Sequence, residues 1–304
     1  MVTLFHSLSK RWQATVLMSL AMLFFSLMSV FIRLSAETVP VMEVVFFRNL
    51  LAAFVLVPFV LRKGSAGLRM NRPGLFFLRG GVNIIGMTAG FTAVTMIPLA
   101  EMMALSFTTP LFVTLGAVLF LGEVIRIRRI IAICIGFGGA LIILQPGFST
   151  VSTGAMLALV SALTIALASL VVKRMTETEH PDSIVTWMVL MQTPLALVPA
   201  LTVWQWPEGI SWVYLWAMAI TGSIAHACWT RACGLVQINS LQPLEFLKLV
   251  FAVLLGWFVF AELPGIWVWL GAAVISLSTI YITHREARAA QSIRPNDGLR
   301  ETKL

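Results

Sequence analysis

The sequence predicts an all-α integral membrane protein with about ten transmembrane helices, arranged as two inverted five-helix repeats. Composition is the first reason, because 59% of the 304 residues are hydrophobic and 11% are charged, whereas soluble domains contain about 25% charged residues. Length is the second reason. A helix that crosses a bilayer needs about 20 apolar residues, so this chain has room for about ten crossings with short loops. The third reason is a weak internal repeat.

Ten apolar runs, each ended by Gly, Pro or charged residues, mark the predicted helices. The spans are 12–33, 41–61, 74–96, 99–121 and 129–145 in the first half, and 153–173, 183–203, 211–233, 239–261 and 265–283 in the second. The chain therefore divides into an amino-terminal segment 1–11, a first repeat 12–145, a second repeat 146–284 and a polar tail 285–304. The composition of the tail predicts disorder.

The basic residues are clustered between the apolar runs. In a soluble protein the net charge of +8 would suggest a nucleic-acid partner. Here the clusters at 10–11, 62–72, 126–129 and 173–174 all fall on one side of the predicted topology. Because cytoplasmic loops carry an excess of Lys and Arg, we expect a multi-pass protein of the inner membrane with both termini in the cytoplasm. The expected partner is the lipid bilayer, and no nucleic acid is expected to bind.

The internal repeat relates the fourth predicted helix to the ninth. The segment LGAVLFLGE, which ends at Glu123, aligns with LLGWFVFAE, which ends 139 residues later at Glu262. The alignment extends into the preceding helix of each half, where FTAVTMIP lies beside TRACGLVQ. Since each half has five helices, the second half must enter the membrane in the opposite orientation. Inverted repeats are typical of secondary transporters, whose substrate site lies near the midplane and which work by alternating access.

The residues around these segments resemble a known family. Pro110-Leu111-Phe112 precedes LGAVLFLGE, the segment Pro243 to Phe251 precedes LLGWFVFAE, and Arg48 lies in FFRNLLAAF. Together they resemble the EamA-like branch of the drug/metabolite transporter superfamily over nearly the whole chain. The resemblance implies a ten-helix carrier of a small-molecule metabolite with a central cavity. Substrates compatible with it are a vitamin such as riboflavin, a nucleoside-like cofactor, or an amino acid or its derivative.

One feature of the superfamily is missing from this sequence. Small multidrug exporters use an acidic residue of their first helix for proton exchange, but residues 12–32 contain none. That mechanism is therefore not transferred to this chain.

Three ionisable residues of the predicted spans are expected to need a partner, a wet cavity or a helix end, because charge inside a bilayer is costly. Glu245 and Lys248 are three residues apart and share a helix face. They either contact substrate or a coupling ion, or form a structural ion pair. Arg48 either attracts a carboxylate or phosphate or links two helices, with Glu43 as its expected partner.

Three further residues complete the candidate set. His226 of the eighth predicted helix suits proton coupling, although a hydrogen-bonded packing role is the alternative, and Trp229 lies about one turn further on. Glu101 opens the fourth predicted helix, where it either favours the helix dipole or acts as a gate.

Two other classes of function were weighed against a coupled carrier. An integral-membrane enzyme acting on a lipid-linked substrate would need clustered acids, histidines or a metal motif, and the sequence contains no HExxH, GxSxG or Walker pattern. A passive facilitator would keep the fold without coupling. No enzyme activity, cofactor or metal is expected, and the chain is expected to be either a monomer or a homodimer.

Overall fold

The computed structural model describes residues 9–62, 70–121, 127–145, 151–176, 178–179, 181–235 and 241–293. Within these residues every regular element is helical. The elements are α1 (Lys10–Ala36), α2 (Val41–Arg62), α3 (Pro73–Met96), α4 (Leu99–Ser106), α5 (Thr109–Leu121), α6 (Ile127–Leu144), α7 (Thr153–Met175), α8 (Pro181–Leu201), α9 (Ser211–Leu235), a 3-10 turn (Gln242–Phe246), α10 (Leu247–Phe260) and α11 (Ile266–Ile293).

These elements match the predicted spans, with two differences. In the part of the chain that the structure describes, four stretches are long and apolar enough to cross a membrane, namely Lys10–Ala36, Pro73–Met96, Leu99–Phe120 and Thr153–Met175, and shorter apolar helices accompany them. The first difference is at the carboxyl end. The prediction of disorder from 285 onward is wrong as far as Ile293, because α11 continues to that residue. Residues 294–304 lie outside the described part of the chain.

The second difference is a break in the fourth predicted helix, between α4 and α5. Pro110 has no N–H and so cannot donate to a carbonyl one turn earlier. The preceding residues tighten into shorter turns instead, with Thr108 N donating to Leu105 O at 3.0 Å. The Thr108 hydroxyl donates to the same carbonyl at 2.7 Å. The fourth run is therefore two helices separated by the turn at Phe107 and Thr108.

Each main contact between the two halves has an equivalent contact in which the helices of the first and second halves are exchanged. Counting α4 with α5, and the 3-10 turn with α10, each half contributes five runs in the same order. Then α1 packs along α9 just as α7 packs along α3, and α2 contacts α9 just as α8 contacts α3. The α2 to α8 and α6 to α11 contacts each join equivalent helices. This pattern is that of a pseudo-two-fold axis between the halves.

Close packing holds α6 against α11. A Cβ added to Gly139 would lie 2.8 Å from the carbonyl oxygen of Gly271, so glycine at this position allows the close approach of the two backbones. Further along the same pair, the Ser278 hydroxyl donates to the carbonyl oxygen of Ala132. The two helices consequently contact each other over several turns.

An acidic side chain from each half binds a loop of the other half. The Glu43 carboxylate, at the start of α2, accepts a hydrogen bond from Gln205 N at 2.5 Å. At the start of α8, the Glu179 carboxylate accepts from Asn71 N and Arg72 N, at 3.0 Å and 2.7 Å. Because a carboxylate bound by backbone N–H groups makes strong hydrogen bonds, these contacts fix the loop before α9 and the loop before α3.

Candidate functional site

The site begins at the junction between the 3-10 turn and α10. The turn ends at Phe246 and the α-helix starts at Leu247, so the hydrogen-bonding pattern changes between Glu245 and Lys248. The hydroxyl of Ser26 on α1 lies 3.0 Å from the carbonyl oxygen of Lys248 and binds the backbone at this junction. A change of helix type inside an apolar run is typical of a binding site, because it leaves polar backbone groups accessible.

The two breaks occur at equivalent positions of the repeat. With the offset of 139 residues, Phe107 and Thr108 align with Phe246 and Leu247, which are the residues where the 3-10 turn gives way to α10. The rings of Phe107 and Phe246 contact each other edge to face, with centroids 4.9 Å apart. Discontinuous helices at corresponding positions of two repeats mark the substrate site of many transporters.

The helix α9 brings His226 and Trp229 to the same junction. Trp229 donates a side-chain hydrogen bond to the Glu245 carboxylate. The His226 ring contacts Phe25 of α1 edge to face, with centroids 4.9 Å apart. His226 also contacts Arg48 of α2. Its side chain remains exposed despite these contacts. A side chain that touches two neighbouring helices and still has an exposed surface lines an open space between them.

Arg48 reaches into this space from α2. Its Nη2 lies 3.4 Å from His226 Nε2, and its Nη1 donates to Asn49 Oδ1 at 3.2 Å. The prediction that Glu43 is the partner of Arg48 is wrong, because the fully buried Glu43 carboxylate binds the loop at Gln205 instead. Residues five apart on a helix do not share a face, which explains why the carboxylate turns to the loop.

Positive charge exceeds negative charge in the site. The Lys248 ammonium lies 5.8 Å from the centroid of the Phe25 ring, and it interacts with Glu245 electrostatically. Within the described residues, the one ion pair whose charged atoms lie within 4.0 Å of each other joins Arg33 to Glu262. The charged groups of Glu245 and Lys248 are therefore not in direct contact. Two cations, Arg48 and Lys248, therefore face one acid.

Glu101 does not join this group. It lies in the first turn of α4 and lines a separate cavity of about 380 Å³, together with Gln145, Ser152 and Trp267 among others. The structure thus brings together Glu245, Lys248, Arg48, His226 and Trp229, and it places Glu101 elsewhere because its helix turn lies beyond the break.

A contact that the sequence reasoning missed closes one end of the bundle. Arg33, near the end of α1, forms an ion pair with Glu262, at an Nη1 to Oε1 distance of 2.5 Å. The second carboxylate oxygen of Glu262 accepts from Leu99 N, the first residue of α4, at 3.1 Å. The Arg33 guanidinium also lies 4.4 Å from the centroid of the Phe260 ring. The ends of α1 and α10 and the start of α4 are joined here.

Two residues of the site itself were also missed. Phe25 is one of 20 phenylalanines, so nothing in composition separates it from a core or lipid-facing ring. Ser26 could have been found, because a serine inside an apolar run has a hydroxyl to satisfy and is a common link between helices in a bilayer.

The architecture, the long apolar helices and a polar space between two repeats define a multi-pass α-helical membrane protein of the transporter class. The model of the EamA-like transporter family matches residues 12–145 and again 152–284. The chain belongs to the EamA-like transporter family.

Two relatives and one solved structure illustrate the similarity. The riboflavin transporter of Rhizobium johnstonii is 34% identical over 236 residues, which cover 76% of this chain and 77% of that protein. The S-adenosylmethionine uptake transporter of Rickettsia felis is 28% identical over 247 residues, covering 81% and 84%. A solved crystal structure with 20% identity has a TM-score of 0.63 and covers 91% of this chain and 99% of its own. At that identity the solved structure supports the fold alone.

Proposed function

We propose that this chain is a secondary transporter, which moves a small organic metabolite across the inner membrane of a bacterium by alternating access. The observation that carries the proposal is the pair of helix breaks at equivalent positions of the two repeats, with Glu245 and Lys248 beside one of them. Counting each broken run once gives ten crossings in two inverted halves. The basic loops favour an orientation with both termini in the cytoplasm.

In that orientation the contact of Arg33 with Glu262 lies at the outer end of the bundle. The loop that carries Trp204 and Trp206 lies at the same end, and these rings pack against Phe46, Phe47 and Trp212. Both groups of contacts join helices of the two halves, so they close the outer end in this conformation. Alternating access requires that they open while contacts at the inner end form.

Riboflavin is the first solute to test, since the relative from Rhizobium johnstonii is named as its transporter. A nucleoside-like cofactor and an amino acid derivative are the next candidates. The measurement is counterflow into proteoliposomes that contain the purified protein, with the candidate solutes supplied one at a time.

Lys248→Met is the test of the site. We expect its initial rate to fall by about tenfold or more, because a hydrogen bond to a charged group contributes about 1.5 to 3 kcal/mol. Lys10→Met is the matched control, since Lys10 is exposed at the start of α1. A Lys248→Met protein that is inserted equally well and transports at the wild-type rate removes Lys248 from the mechanism.

Two alternatives are separated by the same preparation. Recovery of the solute with altered mass would identify an enzyme instead of a transporter. A rate of transport that does not change when the proton and sodium gradients are collapsed would identify a facilitator, which moves the solute only down its own gradient.

A further inference from the structure

We infer that the solute is a planar heterocycle, neutral or with one negative charge, whose edge carries two or more hydrogen-bond acceptors, such as a conjugated imide. In this arrangement Arg48 and Lys248 bind the acceptor edge, and Phe25 and Trp229 contact the ring. The inference rests on the proposed function, because it assigns the substrate class of the same site.

The first support is the unused hydrogen-bonding capacity of the two cations. A guanidinium has five N–H donors and an ammonium has three. Arg48 uses two of its donors, on Asn49 Oδ1 at 3.2 Å and towards His226 Nε2 at 3.4 Å. The Lys248 ammonium lies 5.8 Å from the centroid of the Phe25 ring. Both side chains are half-buried, so water reaches their remaining donors only in part. A ligand that supplies acceptors therefore completes hydrogen bonds that water does not.

The contact of Arg48 with His226 is one that a ligand can replace. At 3.4 Å it is longer than most hydrogen bonds of this kind, and it requires that His226 Nε2 be an acceptor, hence that the ring be neutral. A carbonyl oxygen of the ligand is a better acceptor for the guanidinium than a ring nitrogen at that distance. Binding therefore moves Arg48 from His226 to the ligand and leaves the imidazole free to face the ring.

The second support is the aromatic surface. The indole of Trp229 has a single polar hydrogen, and this hydrogen is used on Glu245. What Trp229 offers to a ligand is therefore its apolar ring. Phe25 supplies a second ring, which is fixed by its edge contact with His226. A planar ring is the solute that contacts such surfaces while its edge reaches Arg48 and Lys248.

The third support is the sign of the charge. Arg48 and Lys248 contribute two positive charges and Glu245 one negative charge, so the group has a net charge of +1 with His226 neutral. A cationic solute would bring a third positive charge beside the two already present. A solute with several phosphates would exceed the one positive charge that is available and would lose more hydration than it recovers. A neutral or singly negative ring avoids both costs.

The test measures binding separately from transport. Lumichrome, a flavin ring without the sugar-like chain, is titrated into the purified protein in detergent, and quenching of its fluorescence gives the dissociation constant. S-adenosylmethionine serves as the cationic probe, added in large excess as a competitor. We expect lumichrome to bind and S-adenosylmethionine not to displace it.

Variants then locate the edge. We expect Arg48→Met to weaken lumichrome binding by about tenfold or more, and Arg48→Lys to keep part of the affinity because it retains a cation with fewer donors. Lys10→Met is the control and should bind as the wild type does. Thermal unfolding confirms that each variant is folded; if Arg48→Met is not, Arg48→Gln tests the loss of charge instead.

The outcomes separate the two proposals. Binding of S-adenosylmethionine in preference to lumichrome overturns the inference, and so does unchanged lumichrome affinity in the folded Arg48 variants. Transport of a cationic solute in proteoliposomes overturns the inference and leaves the proposed function standing. Binding of lumichrome that depends on Arg48, without transport of any solute across the liposome membrane, upholds the inference and overturns the proposed function.

Discussion

The interface between α3 and α7 and the interface between α9 and α1 are equivalent under the repeat, but they differ in what fills them. Between α3 and α7, Gly86 and Gly90 let the helices approach closely, and Ser161 donates to the carbonyl oxygen of Gly86 at 2.8 Å. At 139 residues from the two glycines, α9 carries Ala225 and Trp229.

The comparison shows how one pairing of helices serves two purposes. In the first copy small residues close the interface, so it acts as a scaffold. In the second copy larger side chains, Trp229 and His226 of α9 and Phe25 of α1, occupy the corresponding level, and the exposed side of His226 leaves this copy open there. His226 itself stands where the first copy has Met87. The candidate site is therefore off the pseudo-two-fold axis, on the side of α9.

Gly86→Val is the change that should break the closed copy most severely. A Cβ at this position would lie 2.5 Å from the Thr164 hydroxyl oxygen, and overpacking of this kind costs about 3 kcal/mol. Thermal unfolding in detergent, followed by circular dichroism, should show a large fall in the unfolding temperature.

Gly138→Ala is the control for that change. A Cβ on Gly138 meets nothing within 4 Å, and alanine is favoured over glycine in a helix by up to about 1 kcal/mol. Its stability should equal or slightly exceed that of the wild type. If Gly86→Val unfolds at the same temperature as Gly138→Ala, the close approach of α3 and α7 is not what stabilises the first copy.

Trp229→Phe tests the open copy with a smaller effect. The ring remains, but the Glu245 carboxylate loses its donor, which costs about 1 to 2 kcal/mol. We expect transport to fall by about tenfold while the unfolding temperature changes little. The matched control is Trp216→Phe on the same helix, because Trp216 is 42% exposed. Equal transport by the two variants would show that the indole N–H has no part in the site.

Glu262→Gln should have the smallest effect, and it sharpens the comparison by testing whether the outer end opens. The side chains of Arg33 and Glu262 are 22% and 18% exposed, so loss of the ion pair costs about 1 kcal/mol. A shift of that size changes a two-state population by about fivefold. The measurement uses a protein that lacks its native cysteines and carries His226→Cys. An impermeant maleimide is added outside, and we expect its labelling of position 226 to rise by that factor.

The charge-swapped pair Arg33→Glu with Glu262→Arg is the control for the outer contact. It restores opposite charges across the same gap, and labelling should return towards the level of the parent protein. Unchanged labelling in Glu262→Gln would mean that the aromatic cluster alone closes the outer end.

The positions of the helices were predictable because the bilayer imposes their length and apolar character. The predicted spans and the observed helices agree closely from α1 to α3 and from α6 to α9. The break in the fourth run was not predicted, although Pro110 was a visible signal. A missing N–H affects the turn before the proline, and the expectation of one continuous apolar helix outweighed it.

The candidate site was predictable in part for a similar reason. Charge in an apolar run is costly, so Arg48, Glu245 and Lys248 stand out in any sequence of this kind. Their partners were not predictable, because hydrogen bonds such as that of Trp229 with Glu245 join helices distant in sequence. Glu101 was grouped with them on the same argument, but its place at the start of α4 directs it to another cavity.

The contact between Phe107 and Phe246 has a consequence for how the molecule moves. The two residues are equivalent, so their contact lies on the pseudo-two-fold axis. A motion in which the two halves exchange conformations maps this pair of rings onto itself. It is a contact that need not break when the outer end opens and the inner end closes. Under the proposed alternating access the rings act as a pivot, and a solute bound at the proposed site beside Lys248 keeps its depth in the membrane while the access to it changes sides.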